Sequence, residues 1–218
     1  YNSPFVGTHI LCDFYFLFFR YFNNIPQMQC SAIYTHINKT PPPQFRTYAI
    51  KDTVPDLNLI IPQIESRCNF IIVKASPMAD ISQTISDFPG ITEVWILSVK
   101  NECKELLFKI DFPPTAKQPQ IHCIDFVANE AIEFTFKFED KSISIADGTP
   151  HPGQQLFVPN ASIMKAGAYD IVADKFGSSA WLRIHICICP ISPPTTNIQA
   201  GVFHNECFIF IEARHKED

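Results

Sequence analysis

Residues 69–99 read NFIIVKASPMADISQTISDFPGITEVWILSV, and the spacing of apolar side chains along this stretch sets the fold class. The run from Asn69 to Val73 is short, continuous and apolar, as a strand buried on both faces of a parallel sheet requires. KASPMAD (74–80) follows as the loop at its carboxyl end. Ile81, Thr84, Ile85 and Phe88 then recur at helical spacing, which predicts an amphipathic helix from Asp80 to Phe88 stopped by Pro89-Gly90. EVWILSV (93–99) is the next strand, and KNECKELLFKIDF (100–112) supplies a turn and a further strand-like segment.

Strands alternating with helices argue for an α/β sheet, because parallel strands need crossover connections. Residues 1–112 are therefore expected to form a Rossmann-like domain. Upstream, DTVPD (52–56) offers a cap and a proline before LNLIIPQIESRC, where Leu57, Ile60, Ile61 and Ile64 mark one helical face and Pro62 breaks or kinks it. TPPP (40–43) is a loop, since prolines lack amide donors. Residues 1–34 are read as strands or buried helix. Their most apolar part, FYFLFFRYF (14–22), is too short for a membrane span of about 20 residues, and Arg20 interrupts it.

Downstream, residues 113–120 turn polar and proline-rich and are read as a domain boundary. IHCIDF (121–126), AIEFTFKF (131–138) and KSISIA (141–146) alternate with period two, predicting a small antiparallel or mixed sheet. One helix is predicted over Ser162–Phe176, with Asn160 or Ser162 as N-cap and Gly177 as C-cap. LRIHICIC (182–189) and residues 200–211 are strands.

The 218 residues carry 17 Lys+Arg against 22 Asp+Glu, a net charge of -5, so no global positive field draws a polyanion and any nucleic acid must meet a local patch. The eight cysteines lie mostly in apolar runs and are read as reduced thiols of a cytoplasmic protein. His185, Cys187, Cys189, His204 and Cys207 do not suggest zinc, because C-x-C on a strand differs from the C-x₂₋₄-C turns of structural sites. No nucleophile elbow is present, so hydrolase chemistry has no support. The chain opens at Tyr1 without an initiator methionine, as a fragment or processed form does.

KASPMAD (74–80), VKNECKELLF (99–108) and FVPNASIMKAGAY (157–169), with YAIKDTVPDL (48–57) upstream, are similar in order and spacing to segments of bacterial class I S-adenosylmethionine (SAM)-dependent methyltransferases with a C-terminal THUMP-like domain. The resemblance spans roughly residues 46–177. It implies a Rossmann-like methyltransferase sheet over 1–112, a ferredoxin-like segment over 113–152 and a THUMP-like domain over 153–218, together a small α+β domain after the sheet. It also implies SAM as cofactor and RNA as substrate. The chain departs from the family's Gly-rich cofactor loop, having only Gly7 before Gly90. Where the family has an Asp-Pro-x-Arg-Arg loop, SAIY runs into THINKTPPP (35–43).

Lys74, Ser76, Pro77 and Asp80 lie where a parallel strand ends, the edge at which α/β folds hold ligands, and are candidates for cofactor or substrate contact. The alternative is that Pro77 fixes a turn and Asp80 caps a helix. Asn101, in a polar cluster with Glu102, Lys104 and Glu105, is a further candidate, against a solvated turn. Asn160 and Lys165 near a helix start are candidates for RNA phosphate, against a plain cap and a solvated lysine. No catalytic residue is singled out, and a methyltransferase needs positioning more than acid-base chemistry. A non-catalytic RNA-binding module or methyltransferase remnant is the competing reading.

Overall fold

Burial of both faces along Phe70–Ala75 makes this segment a central strand, β2, of a six-stranded sheet. The structure is a computed structural model and describes residues 35–36, 56–66, 68–115, 118–127, 130–138, 155–175, 179–181, 186–189 and 203–207. The other strands of the sheet are β1 (Thr35–His36), β3 (Ile91–Val99), β4 (Glu102–Asp111), β5 (Gln120–Val127) and β6 (Glu130–Lys137), in the spatial order β1-β2-β4-β3-β5-β6. Pairing is parallel for β1 with β2 and for β3 with β5. It is antiparallel wherever β4 or β6 takes part.

Strands β2 and β3 thus point the same way, and β4 is inserted between them. Lys100 and Asn101, at φ 51° and 60°, form the two-residue turn that returns the chain from β3 into β4. Left-handed backbone at both central positions matches the twist of an antiparallel pair, so this turn dictates a hairpin where a crossover would give a parallel neighbour. The Rossmann-like sheet expected for this half is thus a mixed one, with parallel and antiparallel pairs.

The proline-rich stretch at 113–120 links two strands of that same sheet. Strand β5 pairs with β3 from Glu93↔Gln120 to Val99↔Phe126, and β6 pairs with β5 in turn. IHCIDF and AIEFTFKF therefore extend the first sheet instead of opening a second one. KSISIA and residues 1–34 lie outside the described residues. A second, four-stranded antiparallel sheet is formed by β7 (Gln155–Pro159), β8 (Ser179–Trp181), β9 (Ile186–Cys189) and β10 (Phe203–Cys207), in the order β10-β7-β9-β8.

Four helices are described: α1 (Leu57–Ile64), α2 (Ile81–Asp87), α3 (Ala161–Ala166) and α4 (Tyr169–Lys175). Pro62 sits inside α1 without ending it. The single helix expected over 162–176 is split at Gly167, whose φ of 64° closes α3 in a left-handed cap. Leu57, Ile81, Ile163, Val172 and Ala173 from these helices share one core with Val73, Val94, Ile96, Phe108, Ile121 and Phe134 of the sheet. The opposite face gathers Phe70, Ile72, Trp95, Leu97, Leu107, Ile124 and Phe126. None of the described helices is long and apolar enough to cross a membrane.

Candidate functional site

The carboxyl ends of β2, β3 and β5 lie at one edge of the sheet because the three strands share a direction. That edge carries the 76–80 loop, the Lys100-Asn101 turn and the polar end of β5, and it is where open α/β sheets place ligands.

Lys74 is one residue short of the end of β2, on the sheet face that carries Phe70 and Ile72. Its ammonium forms an ion pair with Glu105 of β4, and both side chains are about nine-tenths buried. Opposite charges desolvated together must stay paired, since removing one leaves the other uncompensated. Past it, the Ser76 hydroxyl accepts the Met78 amide at 3.2 Å, Pro77 and Met78 form the turn, and the Asp80 carboxylate accepts the Gln83 amide at 2.9 Å. Asp80 is the N-cap of α2, and Thr84 Oγ1 reinforces it by donating to the Asp80 carbonyl at 2.6 Å. Met78 is exposed at the tip of this loop.

Asn101 belongs to a second grouping. Its side-chain oxygen accepts the Ala161 amide of α3 at 2.7 Å, and its own amide donates to Asp125 Oδ1 at 3.3 Å. Asp125, buried near the end of β5, also accepts Ser98 Oγ at 2.7 Å. Asn160 supplies the other half of the α3 cap, accepting Ile163 N at 3.1 Å and Ser162 Oγ at 2.7 Å. Two asparagines thus share the amino end of this short helix, and with Asn160 only 2% exposed the site offered to an RNA phosphate is closed from within. Lys165 stands in the last turn of α3, not its first, because the helix has six residues. There its charge acts on Cys103, whose thiol burial pushes up to about 11 while Lys165 pulls the other way.

The sequence brought Asn101 and Asn160 forward separately, and the structure joins them through one helix terminus. It did not identify Ser98 and Asp125, which form the buried polar centre of the junction. Their one signal was polarity, Asp125 standing between Ile124 and Phe126 in a strand that is otherwise core.

SAM demands close backbone approach and an acid free to hold its ribose. Asp80 is engaged as a cap, Asn101 bridges to α3, and Lys74 is matched by Glu105. Gly90, at the opposite end of β3, is packed against Ile110 and Asp111. Among the described residues this edge positions α2 and α3 against the sheet, and a SAM cradle would have to be completed by other residues.

No family model matches the chain, and no curated protein matches it. Among solved structures it is similar to one described as a "putative methyltransferase from Porphyromonas gingivalis W83", at 29% identity and a TM-score of 0.59. The match covers 66% of this chain and 37% of that one, so the chain spans little over a third of that protein's length. At the coarse level the mixed α/β sheet is compatible with a methyltransferase-like fold.

Proposed function

We propose that this chain is part of a SAM-dependent methyltransferase acting on RNA, in which its residues build the scaffold of the methyltransferase sheet. The observation that carries the reading is the structural likeness to the Porphyromonas gingivalis protein over two thirds of the chain. It agrees with the sequence resemblance of residues 74–80, 99–108 and 157–169, which lie on the end of β2 with the loop after it, on the β3–β4 hairpin, and from the end of β7 through α3. When bound, SAM supplies an electrophilic methyl group. The part of these residues is to hold α2 and α3 at the carboxyl edge through the Asp80 cap and the Asn101–Asp125 junction.

The second reading, a non-catalytic module of methyltransferase ancestry, is favoured by the engagement of Lys74, Asp80 and Asn101 in local contacts. Isothermal calorimetry with SAM decides between them. Saturable heat below millimolar cofactor supports the enzyme, and its absence at millimolar SAM leaves the module. A gel-shift titration with structured RNA then tests the substrate class in either case.

A further inference from the structure

Away from the carboxyl edge, a row of charges crosses four strands on the sheet face opposite the helices. From β4 come Asp111 and Lys109, from β3 Glu93, from β5 His122 and from β6 Glu133. Lys109 Nζ is 3.0 Å from Glu93 Oε1 and 3.3 Å from Asp111 Oδ1. His122 Nδ1 is 2.7 Å from Glu133 Oε1, and its Nε2 is 3.6 Å from Glu93 Oε2. The imidazole lies on Trp95, with ring centroids 5.5 Å apart and planes at 19°, so it is held between the two carboxylates. The other charged groups of this face among the described residues are Lys137, exposed on β6, and the Lys74–Glu105 pair of β2 and β4.

A neutral imidazole carries one N–H and one lone pair, so it can donate to only one of two flanking carboxylates. With the proton on Nδ1 facing Glu133, the lone pair of Nε2 faces Glu93. We propose that His122 is a proton-operated clasp, which as an imidazolium ties β5 to β3 through Glu93 and to β6 through Glu133, and on losing its proton to solvent releases the Glu93 arm. Glu93 keeps Lys109, so the released arm has a resting partner.

The surroundings set the sign. Burial opposes the charge on His122, the Glu133 and then the Glu93 carboxylates favour it, and the net shift is upward from 6.5. A group with a raised folded-state pKa contributes stability that is complete below its unfolded value and is lost as pH rises through the folded one. The clasp is therefore closed in mildly acidic solution and opens with alkalinity, which loosens the hold of β5 on β3 while the Glu133 arm to β6 is kept.

The test is a pH series on the full chain, wild type against His122→Gln and Glu133→Gln. Proton NMR of His122 should give a midpoint above 6.5, lowered in Glu133→Gln. Amide exchange of β3 and β5 along their pairing, from Val94↔Ile121 to Ser98↔Asp125, corrected for intrinsic rates, should quicken as pH rises through that midpoint in the wild type and show no such step in His122→Gln. A midpoint at or below 6.5, one unmoved by Glu133→Gln, or the same step in His122→Gln would overturn the proposal. If His122→Gln does not fold, the midpoint shift in Glu133→Gln carries the decision.

Discussion

Asn101 combines two demands in one residue. Its backbone adopts φ 60°, which asparagine tolerates and most L-residues resist, and its side chain caps α3 from 60 positions away along the chain. The two demands separate by substitution. Asn101→Gly keeps the backbone relaxed and removes the cap, so it should cost about 0.5–2 kcal/mol, the range for a lost helix cap. Asn101→Ala removes the cap and strains the turn, adding roughly 1–2 kcal/mol more. Urea denaturation should rank wild type above Gly above Ala, and a glycine variant as stable as the wild type would show that the long-range cap contributes nothing. The polar turn was legible because Lys-Asn-Glu interrupts two apolar strands. Its link to α3 was not, since a cap received from a distant residue leaves no spacing in the sequence. Gly90, read with Pro89 as the stop of α2, carries a second constraint from β4 that the sequence does not show: an added Cβ would lie 2.9 Å from Ile110 Cγ2 and 3.1 Å from the Asp111 carbonyl. Gly90→Ala should therefore destabilise by about 1–3 kcal/mol in the same assay, as overpacking does.

At the level of elements, the break between α3 and α4 marks what periodicity can and cannot report. Ile163, Ala166, Tyr169, Val172 and Ala173 are all buried in one core, so their spacing reads as a single amphipathic stripe from Ser162 to Phe176. Hydrophobic periodicity records which side faces the core and is blind to one residue that leaves the helical backbone. Gly167 is that residue, its amide bonded to the Met164 carbonyl at 3.0 Å and the next amide, of Ala168, to the Ile163 carbonyl at 3.3 Å. The sign of one substitution distinguishes the two architectures. In a continuous helix Gly167→Ala would stabilise by about 1 kcal/mol through helix propensity. At a left-handed cap it should destabilise by roughly 1–2 kcal/mol. Thermal melts followed by circular dichroism decide it, and a raised Tm for the alanine variant would restore the single helix. Helix α2 was placed well by the same periodicity because its ends carry local signals, the Asp80 cap and the Pro89-Gly90 stop, whereas β2 runs two residues beyond Val73, through Lys74 and Ala75.

For the whole molecule, strand order and the extent of the sheet were the hardest to read, because which strands pair is decided by long-range contacts that composition does not encode. The proline-rich stretch at 113–120 has the polarity of a linker, yet it returns the chain to the far side of β3 so that β5 can pair there. Ending the chain at residue 112 would strip β3 of its parallel neighbour and remove β6, α3 and α4. Trp95, Ile96 and Leu97, at most 1% exposed in the intact chain, would then border an open edge. The helix-side core would also lose Ile121, Cys123, Phe134, Ile163 and Val172. Unpaired central strands with apolar side chains are templates for association, so the 1–112 fragment should lack a cooperative melt and elute as aggregates. Ile163→Ala in the full chain tests the same coupling gently: a fully buried isoleucine reduced to alanine costs about 2–5 kcal/mol. If α3 were independent of the sheet, that loss would leave the amide-exchange protection of β3 and β5 unchanged. Because Ile163 shares a core with Val94, Ile96 and Ile121, exchange at β3 and β5 should quicken together with that at α3. A fragment of residues 1–112 that melts cooperatively at the temperature of the full chain would instead establish the boundary that the composition suggests.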